Sequence, residues 1–176
     1  VSGLAETMQI FGLSQEMEGR LVQGEGYIAV LSSDVVPAVL LRAGSGAQVL
    51  PSAKVSTAPL LAADFDDGGA LAVSGRTLPD QAVRASLDGV LAADGRSDRA
   101  GFYRLNLSSA AQRSLHKIDL NIAGQLYGLE LDTHAARLGR GILFKSTPLS
   151  QGWRIDWTTP SGGVQSTVVA VLTPQG

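Results

Sequence analysis

The amino-acid sequence predicts an all-β fold, an antiparallel β-sandwich formed as one domain or as two small ones. The first observation is the alternation of apolar and polar residues over short stretches, which gives a strand one buried and one wet face. The second is the close spacing of turn residues, including the pairs Asp88-Gly89 and Asp94-Gly95. The third is composition, because 44% of the 176 residues are apolar, enough to bury a core.

The stretch Leu71–Ile122 is the clearest series of strands and turns in the chain. Alternation over Val83–Leu87, Tyr103–Leu107 and Ile118–Ile122 predicts three strands of a half-buried sheet. Turn residues separate these strands at the spacing expected of an antiparallel meander or Greek key. The one exception is Ser108–Ser114, where the sequence allows a single helical turn.

Residues 1–63 are predicted to form an N-terminal β-rich segment or small domain. Two periods compete near its start: Met8 and Ile10 alternate as in a strand, whereas the four-residue spacing over Leu13–Leu21 is typical of a short helix. We favour strand, loop, strand, because several glycines interrupt any longer helix. Apolar, β-like runs follow, and an extended connector is expected at Pro51–Pro59.

Residues 64–176 are predicted to form the sandwich, which begins at the polar turn Asp64–Gly69 and is completed by a C-terminal hairpin. In that hairpin Trp153–Trp157 alternates and the β-branched strand Val164–Leu172 returns. If Val164–Leu172 lies at a sheet edge, its few charges favour pairing with a second subunit. A homodimer through the C-terminal edge strand is therefore one expected assembly.

Four segments of the central stretch carry a resemblance to a known class of modules: Val73–Arg76, Val83–Gly89, Ser97–Leu105 and His116–Leu120. This stretch, about fifty of the 176 residues, resembles bacterial immunoglobulin-like or carboxypeptidase-regulatory-like modules, the prealbumin-like sandwiches of exported bacterial proteins. The resemblance implies an immunoglobulin-like or prealbumin-like sandwich. It also implies an accessory or interaction module that acts outside the cytoplasm and has no catalytic residues.

Charge and composition narrow the partners and the location. The formal net charge is −2 and the lysines and arginines are scattered singly, so no basic stripe favours nucleic acid. No run approaches the roughly 18 apolar residues of a membrane-spanning helix. The absence of cysteine favours export, and the start at Val1 fits a chain trimmed behind a signal peptide or a tag remnant. We expect a periplasmic or secreted protein.

Trp153 and Trp157 are the candidate ligand-binding residues. Their spacing places both indole rings on one face of a strand, roughly 13 Å apart at about 3.3 Å per residue. On an open face the rings would form a platform for sugar rings or for apolar side chains of a partner, as in a carbohydrate-binding module. On a face turned toward another sheet they would fill the core, which we favour because few other large aromatic residues are present.

Asp64, Asp66 and Asp67 are the candidate metal ligands. Their carboxylates, next to two glycines, fit a hard cation such as calcium. The spacing lacks the alternating ligands and distal glutamate of an EF-hand loop, so we favour a solvated turn. Gly24–Ala29 matches G-x-G-x-x-A, but its β-like context and the lack of a following acid argue against a nucleotide site. We expect no cofactor.

No residue cluster in the sequence indicates catalysis. His116 and His134 are the only histidines, and no serine lies in a G-x-S-x-G turn. A hydrolase assembled from distant residues such as His116 and Asp119 is the remaining enzymatic alternative. We therefore expect a non-catalytic structural or interaction module of the bacterial cell envelope, with an envelope protein or a polysaccharide as its partner and no membrane span.

Overall fold

Strands form the regular structure in the computed structural model. It describes residues 8–31, 38–42, 47–50, 60–66, 68–107, 114–134, 138–140, 143–150, 152–159, 163–172 and 174–175. The fourteen strands within these residues are β1 (Met8–Met17), β2 (Arg20–Leu31), β3 (Val39–Arg42), β4 (Gln48–Val49), β5 (Leu60–Asp66), β6 (Leu71–Arg76), β7 (Ala82–Leu87), β8 (Val90–Arg96), β9 (Phe102–Leu107), β10 (Leu115–Ile122), β11 (Gln125–Asp132), β12 (Phe144–Leu149), β13 (Gly152–Thr158) and β14 (Val164–Val171). The described part of the chain has no helix of the length and apolarity needed to cross a membrane.

The strands form three antiparallel sheets. The central sheet has six strands in the order β12-β13-β14-β5-β6-β9, the outer sheet has the order β11-β10-β7-β8, and the N-terminal sheet has the order β1-β2-β3-β4. The central sheet lies between the other two, because its alternate side chains belong to two separate hydrophobic clusters. The prediction of an all-β, antiparallel sandwich is confirmed.

One face of the central sheet and the outer sheet form the sandwich. Leu61, Ala63 and Phe65 of β5 are buried in one cluster with Ile118 and Leu120 of β10. In β10 these buried residues alternate with exposed or half-buried ones, as the sequence pattern predicts. Full burial of a large aliphatic side chain contributes about 1.5–3 kcal/mol to folding, so this cluster is a main source of stability.

The N-terminal sheet covers the other face of the central sheet. Ala62 and Val169 of the central sheet belong to one buried cluster with Val39 and Leu41 of β3. Strands in the middle of the central sheet are therefore buried on both faces. This explains why Leu71–Gly75 is buried at every position instead of alternating.

Two-residue turns connect neighbouring strands of the outer sheet. Asp88 and Gly89, between β7 and β8, have φ angles of 53° and 84°, in the left-handed region that this hairpin turn requires. Ala123 and Gly124, between β10 and β11, have φ angles of 52° and 89°. The turn predicted at Asp88-Gly89 is confirmed, whereas the turn predicted at Asp94-Gly95 is wrong, because both residues lie inside β8. Ala123 adopts the left-handed region against the usual preference of a residue with a side chain.

The structure changes two expectations about the chain's organisation. The boundary expected after residue 63 lies inside β5, in the middle of the central sheet. The C-terminal strand β14 lies between β13 and β5, so both of its edges are already hydrogen-bonded. The condition for a homodimer through this strand, a position at a sheet edge, is therefore not met.

The other predictions from the sequence concern single segments, and only some of these segments lie within the described residues. β1 and β2 are continuous strands joined at Glu18 and Gly19, so the helical period over Leu13–Leu21 does not form a helix. The C-terminal hairpin joins the central sheet and so contributes to the sandwich. The expected helical turn at residues 108–113 and the connector at 51–59 lie outside the described residues.

Candidate functional site

The two long sides of the sandwich are closed differently. On one side β8 runs beside β9, where Leu105 approaches so closely that a Cβ at Gly95 would lie 3.0 Å from Leu105 Cδ2. On the other side β11 of the outer sheet faces β12 and β13 of the central sheet across a cavity of about 730 Å³. We call this cavity the β11 groove, and it is the candidate functional site.

The β11 groove has an apolar floor and a polar rim. Its apolar lining residues are Leu115, Leu129, Leu131, Leu149, Val168 and Ala170. Its polar lining residues are Lys117, Glu130, Asp132, Thr147, Ser150, Arg154 and Gln175. Leu129 and Val168 are also part of the sandwich core, so the groove opens onto the core between the two sheets.

Arg154 closes one end of the β11 groove. Its Nε donates a hydrogen bond to Asp156 Oδ1 at 2.8 Å, and its Nη1 donates one to the backbone carbonyl of Asp132 at 3.1 Å. Its Nη2 donates to the carbonyl of His134, so one guanidinium joins β13 to the end of β11. The guanidinium also lies over the Phe65 ring, 5.1 Å from the ring centroid.

Asp156 neutralises Arg154 inside the protein. The side chains of Arg154 and Asp156 are only 14% and 3% exposed, and the Ser166 hydroxyl donates a hydrogen bond to Asp156 Oδ1 at 2.6 Å. Charges this deeply buried need both a partner and hydrogen bonds, and this cluster supplies them. The guanidinium therefore holds the two sheets together and is not free to bind an anionic ligand.

Asp132 fixes the loop that leaves β11. Its Oδ1 accepts a hydrogen bond from the His134 backbone N–H at 2.9 Å and lies 2.7 Å from His134 Nδ1. Desolvation opposes ionisation of Asp132, but the hydrogen bonds from His134 and the positive charge of Arg154 outweigh it. Together they hold the pKa of Asp132 below its usual value.

The C-terminal residues close the other end of the β11 groove. Pro174 forms an antiparallel bridge with Tyr127 of β11, and the Gln175 N–H donates a hydrogen bond to the Leu126 carbonyl at 2.9 Å. Gly128 leaves room for the Gln175 side chain, because a Cβ at Gly128 would lie 1.8 Å from Gln175 Nε2. A short extended segment of the chain thus already lies along part of the β11 edge.

The backbone of Glu130 points into the open part of the groove. The carbonyls of Leu126 and Asp132 point away from β10, because they accept hydrogen bonds from Gln175 and Arg154. Backbone groups of a strand alternate in direction, so the N–H and C=O of Glu130 point the same way as those two carbonyls. In the strand order of the described residues, β11 is an edge.

Trp153 and Trp157 lie on the face of the central sheet that the N-terminal sheet covers. Trp157 is 1% exposed and makes an edge-on contact with Tyr27, with ring centroids 6.3 Å apart. Trp153 is half-buried and packs against the same cluster. Trp157 therefore fills the core, the interpretation favoured above, and Trp153 packs against its edge, so the two rings do not form an open platform for a sugar.

Asp64 connects the N-terminal sheet to the central sheet. Its carboxylate accepts hydrogen bonds from the Ala47 backbone N–H and, at 2.6 Å, from the Thr167 hydroxyl. The Ser74 hydroxyl donates to the Ala47 carbonyl at 2.6 Å, so both backbone groups of Ala47 are held. We call Asp64, Ser74 and Thr167 the polar clamp. Burial raises the pKa of Asp64 above its usual value.

The three candidate calcium ligands are not brought together among the described residues. Asp64 is used by the polar clamp, and Asp66 Oδ1 accepts a hydrogen bond from the Ala70 N–H at 3.0 Å. Asp67 lies outside the described residues. Within the described ranges no group of three His, Cys, Asp or Glu side chains has the arrangement of a metal site.

The two histidines take part in separate structural contacts. His116 is buried, and its Nδ1 lies 2.9 Å from Asp88 Oδ2, which joins β10 to the turn between β7 and β8. His134 is exposed beside Asp132. His116 and Asp119 are three residues apart in one strand and so point to opposite faces. Gly24–Ala29 lies within strand β2.

Comparison with known proteins identified no relative of this chain. No protein-family model matches the chain, and no match was found among curated proteins or among solved structures. The groove and the polar clamp therefore have to be interpreted from their own geometry.

The sequence pattern gave one signal of the β11 groove. Arg154 and Asp156 alternate with two tryptophans, and this alternation suggests a wet face opposite an apolar one. The structure pairs these charges inside the sandwich instead. Opposite charges two residues apart in an aromatic strand are thus a signal for a buried ion pair as well as for a solvated face.

Proposed function

We propose that this protein is a non-catalytic interaction module of the bacterial cell envelope that binds an extended polypeptide segment in the β11 groove. The observation that carries the proposal is the groove itself. It combines an edge strand, an apolar floor and a neighbouring part of the same edge that is already occupied by an extended segment, Pro174 and Gln175. These are the components of recognition by strand addition.

The proposed segment pairs with β11 between its two closed ends. The open part of the edge runs from Gly128, beside Gln175, to Asp132, and these four steps span roughly 13 Å at about 3.3 Å per residue. The N–H and C=O of Glu130 form hydrogen bonds with the backbone of the segment. Every second side chain of the segment then points toward the floor at Leu129 and Val168, so the favoured ligand carries apolar residues at alternate positions.

The envelope location is part of the same proposal and has separate support. The central stretch Leu71–Ile122 resembles modules of exported bacterial proteins, which implies a periplasmic or secreted protein. A partner in that compartment is an envelope protein with an exposed extended segment. Fractionation of the native bacterium with an antibody against this chain tests the location, and recovery in the cytoplasmic fraction would contradict it.

The binding proposal is tested with peptides selected from a displayed random library on the folded protein. Glu130→Pro removes the N–H that points into the groove, whereas Glu130→Ala removes the side chain and keeps that N–H. We expect Glu130→Pro to weaken binding of a selected, fluorescently labelled peptide roughly ten-fold or more, as measured by anisotropy, because a hydrogen bond is lost and the proline ring crowds the edge. Glu130→Ala should bind almost as the unmodified protein does.

Two results would contradict the binding proposal. One is a selection that yields no peptide above background on the folded protein. The other is equal binding by Glu130→Pro and Glu130→Ala, because strand addition requires the backbone group that only proline removes. Thermal unfolding of both variants serves as the folding control. Edge positions tolerate proline, so both variants should retain a cooperative transition.

A further inference from the structure

β1 is the longest open sheet edge among the described strands. Its ten residues pair with β2 on one side, and the strand order has no strand on its other side. Proteins usually protect such edges with short strands, lysine or proline. The edge strand β4 has two residues, and the edge strand β12 contains Lys145 and Pro148. β1 has neither lysine nor proline, and its single charged residue is Glu16.

The hairpin of β1 and β2 projects beyond the rest of the N-terminal sheet. β3 pairs with β2 only over Gly26–Ala29, so residues 14–23 have no third strand beside them in the described structure. The register shifts between Gly12 and Ser14, where a two-residue step along β1 lies opposite a four-residue step along β2. This projecting part, which we call the β1–β2 arm, is exposed on both faces at most described positions.

Exposed apolar side chains lie along the β1–β2 arm and just before it. Phe11, next to the arm, pairs with Ile28, and Met17 pairs with Arg20, so both share a face with Val22. Leu21, which is 76% exposed, lies on the other face. Phe11, Met17 and Val22 are 53%, 55% and 48% exposed. An open edge flanked by exposed apolar side chains is the form of a sheet that continues into another chain.

We propose that β1 pairs antiparallel with β1 of a second copy of this chain. The two N-terminal sheets then form one eight-stranded sheet around a twofold axis. This arrangement closes the assembly at a dimer, because each copy offers the same edge once. It also places the apolar faces of the two arms side by side as one surface. The dimer uses a different strand from the β11 groove and does not depend on the function proposed for it.

The distribution of charge favours a second copy in this antiparallel orientation. With the twofold axis between Phe11 and Ser14, the two Glu16 side chains lie at least ~13 Å apart at about 3.3 Å per residue, beyond the Debye length of roughly 8 Å at physiological salt. A parallel arrangement would place Glu16 beside Glu16 and cost stability. The centre of β1 is uncharged from Met8 to Gln15, so identical strands meet there without repulsion.

The first test is the oligomeric state at several concentrations. We expect the unmodified protein to sediment as a dimer at about 100 μM and to dissociate on dilution, because assembly follows mass action. The backbone groups of Met17, beside the two-residue turn, point toward β2, and those of every second residue do the same. The backbone groups of Ser14 therefore point toward the open edge, and Ser14→Pro removes an N–H from that edge. Ser14→Ala keeps that N–H and is the matched control.

The two variants give opposite expected results. Ser14→Pro should raise the dissociation constant at least roughly ten-fold, whereas Ser14→Ala should sediment as the unmodified protein does. A monomer at every concentration would overturn the proposal and leave the edge to another occupant. Equal dimerisation of Ser14→Pro and Ser14→Ala would also overturn it, because the contact would then lie elsewhere on the molecule.

A cross-linking test locates the contact. The chain contains no cysteine, so a single introduced cysteine reports on one position only. With the twofold axis midway between Phe11 and Ser14, the two copies of Gly12 lie about one residue apart along the paired strands, and we expect oxidation to link the dimer through Gly12→Cys. Val90→Cys, at a 70% exposed position on β8, is the control and should stay largely unlinked. Faster linkage through Val90→Cys would contradict the β1 interface.

Discussion

The two faces of the central sheet are buried by different chemistry. Toward the outer sheet the interior around Tyr103 is mainly aliphatic, and the buried Tyr103 hydroxyl has no hydrogen-bond partner among the described residues, whereas the bonded Arg154–Asp156 pair lies at the β11 groove. Toward the N-terminal sheet, Asp64, Ser74 and Thr167 of the polar clamp are buried but bonded to one another or to Ala47. Burial of the bonded polar clamp and burial of the unpartnered Tyr103 hydroxyl therefore have opposite expected consequences for stability.

The comparison shows how the N-terminal sheet is held in register. Apolar contacts are non-directional and tolerate small displacements of one sheet over another. The polar clamp instead bonds both the N–H and the carbonyl of Ala47, directly before β4. A displacement by one residue would leave these buried groups without partners, at a cost of about 1–3 kcal/mol for each group. The polar clamp thus fixes the position of the N-terminal sheet, whereas the apolar cluster provides most of the free energy that holds the two sheets together.

The largest expected effect follows from removing the clamp's carboxylate. Asp64→Leu leaves the Ala47 N–H buried without its acceptor, and we expect it to lower the free energy of unfolding by about 1–3 kcal/mol. Asp64→Asn keeps an oxygen that accepts from Ala47 and an amide that donates to Thr167, so its effect should be smaller. Urea unfolding at neutral pH measures both. An equal loss in the two variants would show that the charge, not the hydrogen bonds, is what the clamp needs.

The strands of the outer sheet were predictable because each has one wet face. In β7 and β10 the alternation of buried and exposed residues in the structure matches the alternation in the sequence. Asp64 was not predictable in the same way. It stands in a run of acids and glycines that resembles a turn, yet it lies in β5 and is 5% exposed. The sequence does not reveal that a sheet covers both faces of that strand.

The β11 groove could not be predicted for a different reason. It lies where the edge of one sheet faces the edge of another, and the strand order that creates these edges is set by contacts between distant parts of the chain. Arg154 and Asp132 are 22 residues apart, and only the closed sandwich brings them together. A single sequence contains the alternation of each strand but not the neighbour of each strand.

A smaller effect is expected in the pH dependence of stability. The pKa of Asp64 is raised in the folded state. Its contribution to folding stability is therefore fully present below the ordinary pKa of 3.8 and is lost as pH rises through the pKa of the folded state. The pKa of Asp132 is lowered, so its contribution is present above pH 3.8 and is lost as pH falls through the folded-state value. Asp64→Asn and Asp132→Asn should therefore change the pH profile with opposite signs.

Urea unfolding from about pH 3 to pH 8 provides the measurement. The stability of the unmodified protein relative to Asp64→Asn should decrease as pH rises above 3.8, because ionising a buried carboxyl opposes folding. The stability relative to Asp132→Asn should increase with pH and then stay constant above pH 3.8, because the ionised form is the one that His134 and Arg154 stabilise. Parallel profiles for the two variants would contradict the different environments assigned to the two acids.

The smallest expected effect concerns the sandwich face and has the opposite sign from the clamp. Tyr103 is 2% exposed, and burial raises the pKa of its phenol, because the charged form is excluded from the core. Tyr103→Phe removes a hydroxyl that has no partner among the described residues while keeping the ring. We expect the free energy of unfolding to stay constant or to rise by up to about 1 kcal/mol, a gain of roughly 2–4 °C in Tm. A loss above about 1 kcal/mol would mean that this hydroxyl is hydrogen-bonded after all, and the contrast with the polar clamp would then disappear.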